Sequence, residues 1–162
     1  MTRYITETNI DIDNVCEIQS INDFDLLNTY FKQNVSLNQF GLSCLTINIR
    51  SLRENFSKLI LTLESLKFKP KIIICTETWI STYETSLYSI SDYESIFSCN
   101  DSYRAGGVAI FLNKSLEITN QKIFNFTTAD NLFVEFRYAD ILFSLLALYS
   151  CKQQQNLILI EN

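Results

Sequence analysis

Histidine is absent from this chain of 162 residues. Without it there is no Ser-His-Asp triad and no imidazole general base, and the usual zinc enzymes and common zinc fingers are excluded. Any chemistry must rest on carboxylates, amides, Tyr, Lys or Cys. Glycine and proline are scarce, at three and one, so most turns must be made by Asn, Asp and Ser. The five cysteines, Cys16, Cys44, Cys75, Cys99 and Cys151, contain no CxxC pair and are odd in number. Cys44 and Cys75 lie in apolar runs, where a free thiol behaves as a small hydrophobe, and a reducing compartment is expected. No basic-plus-apolar leader opens the sequence, and no apolar run approaches the ~18 residues of a membrane span. The expectation is an intracellular protein, nuclear or cytoplasmic, neither secreted nor membrane-bound.

What is present is the composition of a folded domain: 47% hydrophobic, 13% aromatic and 19% charged. That suits one domain with a real core. The net charge of −5 is unevenly placed. Residues 1–40 carry two basic and six acidic side chains, and residues 41–162 carry eleven and twelve. No Lys/Arg run marks a strong electrostatic footprint for nucleic acid, although a near-neutral body leaves room for a local basic rim.

Along the chain, residues 1–18 read as a loose acidic arm. In "SINDFDLLNTYFKQN", Ile21, Phe24, Leu27, Tyr30 and Phe31 share one helical face, with acids early and Lys32 late, as the helix dipole favours. We take 1–40 as an arm with this short helix and 41–162 as the main domain. "GLSCLTINI" at 41–49 reads as a buried strand. Ser51 and Glu54 form a capping box, and Leu52, Phe56, Leu59, Ile60, Leu63 and Leu66 follow at helical spacing. That helix should stop near Phe68, because Pro70 disfavours helical geometry at Lys69. "KIIIC" is then a short strand covered on both faces, since its residues do not alternate. The second half breaks into β-type runs: "YESIFSC", "GGVAIFL", "LEIT", "KIFNFT", and a hairpin "NLFVEFRYADILFSLLALYS" turning at Tyr138-Ala139-Asp140. The pattern is α/β or α+β, with more strand than helix.

The stretch "KIIICTETWI" concentrates the chemistry. It ends a buried run on Glu77, between Thr76 and Thr78, and spends the only tryptophan at position 79. Ligands collect outside the carboxyl ends of strands in open α/β sheets, and a carboxylate there suits a hard cation such as Mg²⁺. Asn48, in "INIRSL", holds the equivalent place on the preceding strand, where an amide could orient that carboxylate or bind a phosphate oxygen. On the residues alone, the alternative stands that Glu77 caps a loop and Asn48 makes a turn. Trp79 is expected to pack beneath the loop. The two glycines of "RAGGVAIF" lack P-loop spacing and read as a hairpin turn. Cys75 reads as core filler, with no basic neighbour to lower its pKa.

In that order, "INIRSL", a capped helix, "IIICTETW" and "RAGGVAIFL" resemble the front half of the endonuclease/exonuclease/phosphatase family. The closest likeness is to the apurinic-type endonuclease domain of non-LTR (LINE-like) retrotransposons, which is encoded beside a reverse transcriptase. The resemblance covers about residues 41–150, and "TETW" with "GGVAI" downstream is its most specific pair. It implies a DNase I-like, four-layer α/β sandwich, here partial, and metal-dependent hydrolysis of DNA phosphodiesters with Mg²⁺ or Mn²⁺. It carries Glu77 over as the principal metal carboxylate, Asn48 as a metal and phosphate residue, and Tyr149 of "LALYS" as a phosphate contact. Ser150 stands where the family usually has a basic residue. Arg50 and Arg104 are candidate phosphate contacts by position.

The sequence also departs from that family. It contains no Asp-x-Asn, the family's water-activating motif, and no Ser-Asp-His. The chain is expected to end about where the second sheet should begin, which would leave an apolar sheet face open to self-association or to a partner. The chain alone is accordingly expected to be inactive, a fragment of a DNA endonuclease. The alternative is a non-catalytic binding or assembly module that retains the half-fold.

Overall fold

Residues 72–75 are each fully buried and Thr76 is nearly so. An extended strand points successive side chains to opposite faces, so such a run needs cover on both sides. The computed structural model supplies both covers. It describes residues 42–66, 69–99, 101, 105–124, 126 and 129–150, together with the backbone of 155–161. The arm and helix expected within residues 1–40 lie outside the described residues.

Strand β1 (Cys44–Asn48) leads into helix α1 (Leu52–Ser65), which returns the chain to β2 (Ile72–Thr76). A 3-10 helix (Thr82–Leu87) precedes β3 (Tyr93–Ser98) and β4 (Val108–Asn113). These four strands form one sheet in the order β1-β2-β4-β3. β1 and β2 are parallel, in register from Cys44↔Ile72 to Asn48↔Thr76, and the other pairs are antiparallel. β5 (Glu117–Lys122), β6 (Asp130–Tyr138), β7 (Ile141–Ser150) and β8 (Gln155–Glu161) form a second sheet, antiparallel and in sequence order.

Two cores follow from the alternation. On one face of the first sheet, Ile73, Cys75, Ala109 and Phe111 pack with Leu52, Leu59 and Leu63 of α1. On the other face, Ile72, Ile74, Val108, Ile110 and Leu112 meet Leu132, Val134, Phe136, Leu145 and Ala147 of the second sheet. The architecture is a mixed α+β sandwich in which helix, sheet and sheet are stacked. The expectation that the chain stops short of its second sheet is therefore corrected. β5–β8 lie within it, and β6 and β7 cover the face of the first sheet that carries Ile72 and Ile74. In β6 and β7 the side chains that alternate away from this core include Phe133, Leu146 and Leu148, all partly buried.

Local differences have local causes. α1 ends at Ser65, short of the expected stop near Phe68. In its last turn the Ser65 hydroxyl donates to the Thr62 carbonyl, competing with the helical ladder. The capping box is half formed: Ser51 Oγ accepts from the Glu54 N–H at 3.4 Å, while the Ser51 N–H donates to the Glu77 carbonyl at 2.8 Å instead. Among the described residues of "KIFNFT", only Lys122 belongs to a strand. The backbone of Phe124 is satisfied by the Asn131 side chain, which donates to its carbonyl and accepts from its N–H, so a ladder is not needed there. The hairpin turns at Ala139 and Asp140, both at positive φ (49° and 65°), the backbone of a tight primed turn that matches strand twist.

Candidate active site

Parallel pairing places the carboxyl ends of β1 and β2 at one edge of the sheet. Beyond that edge the two chains stay zipped. Ile49, Ser51 and Leu52 donate their N–H groups to the carbonyls of Thr76, Glu77 and Thr78 at 3.0, 2.8 and 2.9 Å. The loop after β1 is thereby fixed to the loop after β2. Arg50, Ser51, Glu77 and Trp79 all take positive φ there, between 47° and 87°. Side chains other than glycine rarely adopt that conformation, and strain of this kind gathers at functional sites.

The left-handed turn at Glu77 carries its carboxylate to the rim. Oε1 accepts one hydrogen bond from Asn48 Nδ2 at 2.8 Å and another from the Tyr149 hydroxyl at 3.1 Å. The structure thus brings together Asn48 from β1, Glu77 from the β2 loop and Tyr149 from β7 of the second sheet. Arg50 lies exposed on the adjoining loop, and no contact draws it to the carboxylate. Arg104 lies outside the described residues.

Three buried oxygens at this edge have no hydrogen-bond partner among the described residues: Asn48 Oδ1, Thr76 Oγ1 and Thr78 Oγ1. A buried unpartnered polar atom is costly and calls for an explanation. An orphaned amide oxygen beside a carboxylate fits a hard divalent cation, which prefers oxygen donors and keeps several waters. Among the described residues, no three acidic or cysteine side chains gather in one place. A cation held here would take Glu77 and Asn48 from this chain and its other ligands from water or phosphate.

Residues beyond those expected also shape the site. Gly106 and Gly107, at φ 128° and 84°, end the β3–β4 connection directly under the Glu77 loop. Trp79 N–H donates to the Gly106 carbonyl at 3.0 Å and Thr78 N–H to that of Gly107 at 3.4 Å. A Cβ on Gly107 would stand 2.3 Å from Thr78 Oγ1, and one on Gly106 would stand 2.3 Å from Asp130 Oδ2. Both positions need glycine for close approach as well as for φ. Asp130 Oδ2 accepts from the Gly107 N–H at 2.8 Å, and Asp130 lies opposite Tyr149 in the β6–β7 ladder. Sequence reasoning passed over it, because only pairing between distant strands reveals its place. Trp79 is not beneath the loop as expected. It is 36% exposed and lines an open groove of about 410 Å³ with Ser51, Arg53, Glu54 and Ala105. Cys75, by contrast, is fully buried, and burial pushes its thiol up to about 12, as suits a filler.

No family model matches the chain, and no curated protein does. Solved structures do. A D. rerio TDP2 humanized by 14 mutations matches with TM-score 0.54 and 21% identity, over 67% of this chain and 49% of that one. D. rerio TDP2 complexed with a single strand DNA product matches at 0.50 and 21%, over 70% and 48%. Truncated Caenorhabditis elegans TDP2 matches at 0.54 and 17%, over 68% and 46%. The fold is DNase I-like. The chain spans about half the length of each of these structures. Among the described residues, no helix is long and apolar enough to cross a membrane.

Proposed function

We propose that this chain carries part of a divalent-metal-dependent phosphodiesterase site that acts on DNA, with Glu77 as its metal carboxylate. One observation carries the reading: Glu77 Oε1 receives both the Asn48 amide and the Tyr149 hydroxyl, drawn from two different sheets. The orphaned Asn48 oxygen supports it, and so does the DNase I-like neighbour solved with a single strand DNA product. In this reading Glu77 and Asn48 would hold Mg²⁺ or Mn²⁺, which would supply charge stabilisation to the phosphate and the leaving oxygen. Asn48 orients the carboxylate. Tyr149, already aimed at that carboxylate, turns its hydroxyl toward a phosphate oxygen when substrate is present. Arg50, exposed beside the site, and Arg104 are proposed to contact the DNA backbone.

The finer assignment, a retrotransposon-type endonuclease, rests on "INIRSL", "TETW" and "GGVAI". A reverse-transcriptase reading frame in the adjoining genomic DNA would support it, and an unrelated gene there would count against it. The sequence holds neither an Asp-x-Asn water activator nor a histidine. Single catalytic groups of that kind are worth roughly 2–4 kcal/mol each, so the chain alone is proposed to be inactive. The test is nicking of supercoiled plasmid with Mg²⁺ or Mn²⁺, beside Mn²⁺ binding, for the native chain and Glu77→Gln. The expected result is Mn²⁺ binding that Glu77→Gln abolishes, with no nicking. Nicking that depends on Glu77 would overturn the claim of inactivity. A folded chain whose Mn²⁺ affinity ignores Glu77→Gln would overturn the metal site and leave a non-catalytic binding module.

A further inference from the structure

The contacts around Glu77 close into a ring. From Glu77 the chain runs to Thr78 and Trp79, whose N–H groups are held by the carbonyls of Gly107 and Gly106. The Gly107 N–H is in turn held by Asp130 Oδ2 at 2.8 Å. Asp130 is paired across the β6–β7 ladder with Tyr149, and the Tyr149 hydroxyl returns to Glu77 at 3.1 Å. One carboxylate therefore joins the second sheet to the loop of the first sheet at the site itself. The fit is close, since a Cβ on Gly106 would come within 2.3 Å of the Asp130 oxygen.

We infer that Asp130 is a positioning residue. It latches the Gly106–Gly107 turn, and through that turn sets where the Glu77 carboxylate stands relative to Asn48 and Tyr149. Apart from this contact and the Tyr149–Glu77 hydrogen bond, the described residues of the two sheets meet through apolar side chains, which resist separation but leave small sliding displacements cheap, because the hydrophobic effect has no direction. A hydrogen bond from a backbone N–H to a carboxylate is directional and comparatively strong. At this rim it fixes the sideways alignment that dispersion and burial leave loose. The residue holds no metal and touches no reacting atom in this role. It acts through the turn.

The only tryptophan sits inside the ring, so intrinsic fluorescence reports on the latch without any metal. The experiment compares the native chain with Asp130→Ala, Asp130→Asn and Gly106→Ala. Emission maximum and acrylamide quenching of Trp79 are read well below the melting temperature, and the Mn²⁺ dissociation constant is read from water-proton relaxation. Asp130→Ala is expected to shift emission, raise quenching and weaken Mn²⁺ about tenfold or more, the usual scale for loss of a supporting contact at a metal site. Asp130→Asn keeps a carbonyl acceptor for Gly107 and should match the native chain in both readings. Gly106→Ala, which pushes the carboxylate off its seat, should reproduce Asp130→Ala and serves if that variant fails to fold.

A lower melting temperature for Asp130→Ala, with native emission, quenching and Mn²⁺ affinity, would reduce Asp130 to a structural tie and overturn the proposal. So would Asp130→Asn behaving like Asp130→Ala, because charge rather than the latch would then be responsible. Only the Mn²⁺ reading rests on the proposed metal site. If Glu77→Gln leaves Mn²⁺ affinity unchanged, that site fails, and the Trp79 emission alone still decides the latch.

Discussion

Glu77 is held at φ 56° between two hydroxyl side chains that are almost wholly buried. The strain there is local, and its support comes from the glycines below. Gly107→Ala would put a Cβ 2.3 Å from Thr78 Oγ1 at a φ of 84°, and is expected to cost about 1–3 kcal/mol, the usual range for strained backbone. Thermal melts would check this, and a native melting temperature would refute it. Cys75 gives a second test at this scale. With its thiol pushed up to about 12 by burial, almost none of it is thiolate at pH 8. In an alkylation experiment mapped by mass, Cys75 should label only when denaturant is added, while the half-buried Cys44 labels in the folded protein. Equal rates under native conditions would show that the strand is more open than described. At this scale the strand ends pointed to Asn48 and Glu77 and the family resemblance pointed to Tyr149, and the structure brings these three side chains together. Asp130 and the exposure of Trp79 were not legible in the sequence, because they depend on a turn 23 and 27 residues away along the chain.

At the scale of elements, the 3-10 helix is tied to α1 by Arg53. Its Nε and Nη2 donate to the two oxygens of Glu84 at 2.6 and 2.5 Å, and Ser81 adds its N–H at 2.9 Å and its hydroxyl to the same carboxylate. Arg53, followed by the Ser81 donors, holds the Glu84 carboxyl down at about 2 from an ordinary 4.5. A folded-state value below the unfolded one stabilises above the ordinary value, and that help is lost as pH falls through the folded value. The difference in melting temperature between the native chain and Glu84→Gln should therefore be steady above pH 4.5 and shrink as pH falls toward 2. A difference that grows with acid would reverse the assignment. The Arg53 side chain is open to solvent, which screens the pair, so the effect is small. α1 itself depends on burial, and Leu59→Ala, at a fully buried position, is expected to cost about 2–5 kcal/mol in denaturant unfolding. Element positions were readable wherever one local rule dominated, as in the unbroken run of β2 or the hairpin turn expected at Tyr138-Ala139-Asp140, which the structure narrows to Ala139 and Asp140. They were not where a distant side chain competed, as Asn131 does at Phe124.

For the molecule as a whole, the first sheet is packed against a second sheet within the same chain, and this changes what the sequence implied. The aromatic and aliphatic run at 132–149 was readable as sheet, but not as the cover for Ile72 and Ile74, because alternation says which residues share a face and not which face meets which. The parallel β1–β2 pair was equally hidden, since element order is compatible with either direction. Once both are known, the candidate site lies at the rim where the two sheets meet, with residues from each.

That placement bears on how the protein comes into being. The Glu77–Tyr149 hydrogen bond spans 72 positions of chain, whereas β1, α1 and β2 are immediate neighbours in sequence. Local contacts form early, and distant pairings wait on loop closure. During synthesis the first strands and their helix emerge well before Tyr149 has been translated. A nascent chain can thus hold much of its first sheet with the carboxylate at its edge and no hydroxyl facing it, and the site comes together only when the last strands arrive.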